Sequence, residues 1–212
     1  MSFHHSIAVG LLAFAASSAS AQSVPATISG RLVPGTYCGN QGIIVEHTSV
    51  GVAFVTTVDL SGLGQQVTIT GTLNQPGPCE FMLASSATNS AFQLYTCNAA
   101  GLGCEVSLDM CPSPIDGSYV MFGSFATATI PVSQETGTFL LDPNFMFLFS
   151  AGQKSAVCEA TRFFIPNIPA AVGIDVFFQA AHIPVSGFPL LSNVTKMTIL
   201  PPIPGCQYLE CF

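Results

Sequence analysis

Eight cysteines are the residues of this 212-residue chain best suited to chemistry. Cys97, Cys104 and Cys111 are spaced seven apart, whereas Cys206 and Cys211 are separated by four residues. A zinc site needs closely spaced pairs or nearby histidines, and only the last pair has such spacing. We therefore expect four disulfides, clustered between Cys79 and Cys111 and in the C-terminal tail. The candidates are Cys38, Cys79, Cys97, Cys104, Cys111, Cys158, Cys206 and Cys211.

Acid–base residues are too few to predict catalysis. After residue 21 the histidines are His47 and His182, and no Gly-x-Ser-x-Gly motif marks a serine nucleophile. Glu46 and His47 are neighbours on a predicted strand, so we expect them to point to opposite faces. We interpret both histidines as surface or packed residues.

Carboxylates give no clearer signal. Glu105 and Asp109 would lie about 13 Å apart on one strand face, which is too far for a glycosidase pair. Calcium held by Glu105, Asp109 and Asp116 is conceivable, but no recognised loop pattern supports it. The sequence therefore predicts no catalytic residue, no cofactor and no metal.

Carbohydrate binding requires aromatic surfaces with polar edges. The chain has no tryptophan, four tyrosines and 17 phenylalanines, which we assign to the core. This composition disfavours a lectin. Asn193-Val194-Thr195 fits the N-glycosylation pattern and would indicate an exposed position in a eukaryotic protein.

The first 21 residues resemble a signal peptide. Ile7 to Ala16 is an apolar run, and Ala19-Ser20-Ala21 offers a small-residue cleavage site before Gln22. A membrane anchor needs about 20 apolar residues, and Ser17 ends this run well short of that. We expect a protein exported to the cell surface or the medium, with no transmembrane segment after cleavage.

Charge excludes two classes of partner. Only four of the 212 residues are Lys or Arg, and the net charge is −7. Nucleic acids and anionic membranes both require clustered cations, so neither is expected. Hydrophobic residues make up 49% of the chain and charged residues 7%. This composition leaves little charge repulsion between strand edges. One interpretation is a β-sandwich with a largely uncharged surface; the second is a protein that associates with itself or packs on cell-surface components.

Short apolar runs recur about every ten residues between Gly, Pro, Asn and Ser, which is typical of all-β proteins. In Gln66–Leu73, apolar residues alternate with three threonines, and this predicts one buried and one hydroxyl-rich face. Phe145–Phe149 is apolar on both faces, so we expect a central strand that is covered on both sides. An exposed, adhesive patch is the alternative. Tyr119–Val132 is predicted to be one strand, and Pro76-Gly77-Pro78 a turn.

Two segments resemble known modules. The segment from Asp59 to Ser86 resembles the strand–turn–strand signature of small OB-like β-barrels in bacterial secreted proteins. Part of the C-terminal half resembles the closing strands of a β-sandwich module that recurs in exported proteins of planctomycete-like bacteria, on residues 163–169, Gly173, 177–180, 191–193 and 198–199. That module implies no activity or functional residues. The tail Pro201–Phe212 departs from it.

Together these patterns predict an all-β fold, an antiparallel β-sandwich stapled by disulfides and preceded by a small β-barrel. The expected divisions are a signal peptide (1–21), an N-terminal OB-like β module (22–92), a C-terminal β-sandwich (93–202) and a cysteine-containing tail (203–212). The predicted function is a non-enzymatic structural or interaction protein. A domain that binds a glycan or an apolar molecule between the two halves is the alternative, and a hydrolase is the third.

Overall fold

The structure, a computed structural model, describes residues 22–55, 58, 60, 63–75, 79–111, 117–154, 158–206 and 208–209. The predicted signal peptide, the Pro76-Gly77-Pro78 turn, Asp116 and Cys211 lie outside these residues. Within them the fold is all-β, and a single 3₁₀ turn, Pro169–Ala171, accompanies the strands. No helix in the described ranges has the length and apolar character needed to cross a membrane.

The first six strands form one sheet. They are β1 (Gln22–Gly30), β2 (Leu32–Tyr37), β3 (Asn40–Val45), β4 (Gly51–Phe54), β5 (Val67–Gln75) and β6 (Phe81–Asn89). Their order is β1-β5-β6-β4-β3-β2, with β4 and β6 parallel and the other neighbours antiparallel. Arg31 alone separates β1 from β2, yet these strands lie at opposite ends of the order. The chain therefore turns sharply at Arg31, and the two edge strands of the sheet are joined at that corner without pairing.

Strand β5 shows why this sheet forms. Val67, Ile69 and Leu73 are buried in its core, as the alternation predicts. The threonines between them face outward, where Thr68 and Thr70 hydrogen-bond to hydroxyls of β1 at 2.9 and 3.2 Å. Gly71 sits at a register shift against β6, and a Cβ there would lie 2.8 Å from the Cα of Ala84. Only glycine fits this approach.

Twelve further strands follow. They are β7 (Gln93–Thr96), β8 (Ala99–Gly101), β9 (Glu105–Cys111), β10 (Gly117–Ser124), β11 (Thr127–Ser133), β12 (Gly137–Leu141), β13 (Met146–Lys154), β14 (Glu159–Phe164), β15 (Asp175–Pro184), β16 (Leu190–Leu191), β17 (Thr195–Leu200) and β18 (Tyr208–Leu209). The larger sheet has the order β13-β10-β15-β17-β8, with β16 beside β15. In the smaller sheet, β9 pairs with β14 on one side and with β7 and β18 on the other.

These two sheets form the predicted β-sandwich. Leu94, Leu108 and Met110 of the smaller sheet share one core with Met121 and Phe178 of the larger one. Phe149 packs edge-on against Phe163 and Phe178, with ring centroids 4.7 and 5.2 Å apart. Most neighbours are antiparallel, but β8 pairs with β17 and β18 with β9 in parallel.

The β11–β12 hairpin ties the sandwich to the first sheet. Leu140 and Leu141 are buried in the N-terminal core, together with Val194. Thr138 Oγ1 donates a hydrogen bond to the carbonyl of Thr27 in β1 (2.8 Å). Residues on both sides of position 92 therefore share the N-terminal core, and the division near that position stays a prediction. That the N-terminal unit is related to OB-like barrels stays a prediction.

The hairpin also corrects one predicted strand. Tyr119–Val132 is not continuous, because β10 ends at Ser124 and β11 begins at Thr127 in a different sheet. The hydroxyl of Ser124 donates to the carbonyl of Asp142 (3.1 Å) and accepts the amide of Ala126 (3.3 Å). These side-chain bonds replace the ladder at the bend.

Three disulfides are described: Cys38–Cys79, Cys104–Cys206 and Cys111–Cys158, with Cα atoms 5.4, 5.4 and 4.4 Å apart. Cys97 is also disulfide-bonded. The expected clustering between Cys79 and Cys111 is wrong, because these bridges span 41, 102 and 47 positions. Strand pairing brings together cysteines that are far apart in the sequence, so their spacing along the chain does not predict which of them pair.

Strand β13 is not the doubly covered central strand that its composition predicts. It lies at the edge of the larger sheet, and only β10 pairs with it among the described strands. Phe145, Met146, Phe147 and Leu148 are all exposed. A bulge at Phe149 turns that one ring into the core. The structure therefore agrees with the alternative interpretation, an exposed apolar patch.

Candidate functional site

A cleft of about 790 Å³ opens between the N-terminal sheet and the sandwich. One wall comes from the bend at Arg31, the turn after β3 and the segment before β5. The other comes from β7, the loop after it and the start of β17. The lining residues are Arg31, Glu46, His47, Gly64, Gln65, Gln66, Asn89, Gln93, Leu94, Tyr95, Thr96, Asn98, Asn193, Val194 and Thr195.

Glu46 and His47 reach this cleft together, which corrects the expectation that they face apart. Strand β3 ends at Val45, and both residues lie in the following turn. Thr48 closes that turn, since its backbone N–H and its hydroxyl both donate to the carbonyl of Val45 at 3.1 and 2.7 Å. His47 has a φ of +63°. This left-handed conformation breaks strand alternation and turns both side chains to one side.

Opposite charges balance along this wall. Arg31 Nη1 lies 3.9 Å from Glu46 Oε1, and Glu46 N–H donates to the carbonyl of Arg31 (2.8 Å). Burial lowers the pKa of His47; Lys196 also lowers it, while Glu46 and Asp175 oppose the shift. Near neutral pH the imidazole is therefore held in its uncharged form.

Lys196 has its own acidic partner beside the cleft. Its ammonium lies 3.2 Å from a carboxylate oxygen of Asp175. The hydrogen bond from Thr198 and the Lys196 ammonium lower the pKa of Asp175. The charged groups near the cleft thus form two pairs of opposite sign, and they leave little net charge for a ligand to meet.

Side-chain amides dominate the remaining surface. Asn89 Oδ1 accepts the N–H of Gly64 (2.6 Å), and Gln93 Nε2 donates to the carbonyl of Ser90 (3.0 Å). The hydroxyl of Tyr95 donates to Gln93 Oε1, and burial raises the pKa of this phenol. Gln66 Oε1 is buried without a hydrogen-bond partner, the one such side-chain atom among the described residues.

Asn193 has a structural role and is not an exposed glycosylation site. Its side chain is buried. Its Oδ1 accepts the N–H of Leu94 (2.8 Å), and its Nδ2 donates to the carbonyl of Leu94 (2.9 Å). The amide thus pairs with β7 as a neighbouring strand would. An N-linked glycan would remove these bonds.

The other candidate residues do not gather at the cleft. His182 is 1% exposed, and its ring packs against Phe92 with centroids 5.7 Å apart. Asp109 accepts a hydrogen bond from Ser107 (3.2 Å) on β9 and does not line the cleft, nor does Glu105. The described residues contain no group of three or more His, Cys, Asp or Glu side chains that could hold a metal ion.

The cleft residues lie between positions 31 and 195, so no local motif signals the site. The polar run Glu46-His47-Thr48-Ser49 is a sign that the strand ends at Val45. A scan against models of known protein families finds no match, and a search of curated protein sequences finds none either. The planctomycete-like and OB-like resemblances therefore stay predictions.

Proposed function

We propose that this protein is an exported, non-enzymatic structural protein that associates with copies of itself through the edge strand β13. The observation that carries the proposal is an exposed edge that is apolar on both faces. Leu148 is 64%, Phe145 54% and Phe125 52% exposed, and the rings of Phe125 and Phe147 lie 5.6 Å apart. Unprotected edges of this kind pair readily with another strand.

A second copy of the chain fits this edge best. From Pro143 to Gln153 the sequence has no charged residue, so two identical strands do not repel each other. Asp142 precedes the segment and Lys154 follows it. Antiparallel pairing about a twofold axis would bring the acidic end of each strand near the basic end of the other. In the register that sets Asp142 opposite Lys154, Leu148 would lie opposite its own copy and Phe147 opposite Phe149.

Export rests on the cysteines and the N-terminal segment. Disulfides persist in oxidising compartments and are rare in the cytosol, and the bridges Cys38–Cys79, Cys104–Cys206 and Cys111–Cys158 suit such a location. The apolar run in residues 7–16 supports a signal peptide. A structural role fits a charge-poor surface whose histidines and carboxylates are not assembled for catalysis.

The test is light scattering coupled to size exclusion, on oxidised protein over a range of concentrations. The unmodified protein is expected to show a molar mass that rises with concentration to at least the dimer. Leu148→Lys places a charge on the exposed face of β13 and should give monomers throughout. The matched control is Val185→Lys, at an 84% exposed position in the loop after β15, which should still associate.

Both substitutions are at exposed positions, so each should leave folding stability within about 0.5 kcal/mol. A protein that stays monomeric at every concentration would overturn the proposal. So would a Leu148→Lys variant that associates as strongly as the unmodified chain.

A further inference from the structure

We propose that the cleft between the N-terminal sheet and the sandwich binds a short neutral oligosaccharide. This inference goes beyond self-association, because no residue of β13 lines the cleft. The volume of about 790 Å³ falls within the range of small-molecule sites in proteins.

The chemistry of the walls selects the ligand class. Besides Asn193, whose amide is bonded to Leu94, five side-chain amides line the cleft: Gln65, Gln66, Asn89, Gln93 and Asn98. Each amide offers both a donor and an acceptor. A sugar hydroxyl also donates and accepts, so a row of amides matches a row of hydroxyls better than it matches an ion or an apolar chain.

The pairing of charges at the cleft disfavours ionic ligands. Arg31 and Glu46 pair across 3.9 Å, and burial favours the neutral form of His47 in the same cleft. A carboxylate, sulfate or phosphate on the ligand would be attracted by Arg31 but repelled by Glu46. Displacing the Arg31–Glu46 contact would then offset the gain.

Gln66 supplies an acceptor that the protein leaves unused. Its Oε1 is buried without a hydrogen-bond partner, while its backbone carbonyl accepts the N–H of Ser90 (3.1 Å) and fixes the residue in place. A buried acceptor without a partner costs about 1–3 kcal/mol. A turn of the Gln66 side chain that brings this atom to the surface of the cleft would let a ligand hydroxyl donate to it and recover that cost, which favours binding over the empty cleft.

Tyr95 provides a face on which a sugar ring can stack. It is 39% exposed at the rim of the cleft, and the bond of its hydroxyl to Gln93 holds the ring in one orientation. Sugar C–H groups pack against such aromatic surfaces. The absence of tryptophan disfavours carbohydrate binding at the level of composition, but one oriented tyrosine beside five amides supplies both parts of the recognition.

The test is ligand-detected saturation-transfer NMR on the oxidised, full-length mature chain. The probes are neutral trisaccharides of glucose, N-acetylglucosamine, mannose and xylose, together with a sulfated trisaccharide. We expect saturation of at least one neutral trisaccharide and none of the sulfated one. For the sugar that binds, calorimetry should show that Tyr95→Ala and Gln66→Leu each raise Kd roughly tenfold or more.

Two controls keep the outcome specific. Phe188→Ala removes an exposed aromatic ring outside the cleft, and Gln41→Leu removes an exposed amide of the β2–β3 hairpin. Both should bind as the unmodified protein does. Asn98→Leu, at an exposed position of the cleft, serves as a third test variant if Tyr95→Ala or Gln66→Leu does not fold.

Three results would overturn the proposal: no binding of any neutral probe by folded protein, preference for the sulfated probe, or unchanged affinity in the cleft variants. Each of these is independent of self-association, because Leu148→Lys leaves the cleft intact. A monomeric protein that binds the sugar would overturn the proposed function and leave this site standing.

Discussion

At the scale of single residues, His47 joins backbone geometry to electrostatics. Its positive φ ends the alternation of β3 and brings an imidazole into the cleft beside Arg31 and Glu46. Because burial lowers its pKa, the folded state favours the neutral ring. Folding is therefore linked to protonation at this position.

The substitution His47→Asn tests that linkage, since asparagine tolerates positive φ better than most residues. The unfolded histidine has a pKa of 6.5 and the folded one a lower value. As the pH falls below 6.5, His47 binds a proton more readily in the unfolded state than in the folded state. The free energy of unfolding therefore decreases as the pH drops from 6.5 toward the folded pKa of His47. Between pH of about 7.5 and 5.5, the unmodified protein should lose more unfolding free energy than the variant.

Urea unfolding at both pH values measures this difference. His182 is present in both proteins, so its titration cancels in the comparison. Equal losses in the two proteins would show that His47 does not titrate differently on folding.

At the scale of elements, the β11–β12 hairpin depends on one buried glutamine. Gln179 of β15 is fully buried, and its Oε1 accepts the N–H of Leu140 (2.8 Å). Its Nε2 donates to the carbonyls of Thr138 (3.0 Å) and Ser192 (2.9 Å). One side chain thus satisfies three backbone groups in two segments, β12 and the segment after β16, and joins the hairpin to the larger sheet.

The substitution Gln179→Leu keeps the approximate volume but leaves those backbone groups buried without this partner. Each unsatisfied group costs about 1–3 kcal/mol, so we expect a loss of roughly 3–5 kcal/mol in unfolding free energy. Gln153→Leu is the matched control, because Gln153 is exposed and makes one bond to Ser118 (3.0 Å). It should change stability by less than about 0.5 kcal/mol. Similar losses in the two variants would contradict the role of Gln179.

The sequence predicts elements better than it predicts their neighbours. The threonine alternation in β5 reports which face is buried, because the period of two is local. The apolar run in β13 predicts that both faces are buried. The position of this strand at a sheet edge depends instead on its pairing with β10 and on the bulge at Phe149. The cleft joins residues as distant as Arg31 and Thr195, and no local period encodes that contact.

At the scale of the whole molecule, the β11–β12 hairpin joins the two cores, whereas each described disulfide closes a long loop within one of them. Cys38–Cys79 lies in the N-terminal half, whereas Cys104–Cys206 joins the start of β9 to the C-terminal tail. Cys97 is disulfide-bonded too, and Cys211 is the cysteine that these pairs leave. Non-reducing peptide mapping should therefore link the peptides of Cys97 and Cys211.

The stabilisation that each disulfide contributes depends on the length of the loop that it closes in the unfolded chain. Loop entropy gives about 3.9 kcal/mol for the 41-position separation of Cys38–Cys79 and about 4.7 kcal/mol for the 102-position separation of Cys104–Cys206. Cys104 is also buried, so replacing it by alanine removes core contacts. The pair Cys104→Ala with Cys206→Ala should therefore lose more stability than Cys38→Ala with Cys79→Ala. Denaturant unfolding of both double variants measures the order. A smaller loss for the Cys104–Cys206 pair would mean that Cys111–Cys158, which lies inside its loop, already restricts the unfolded chain.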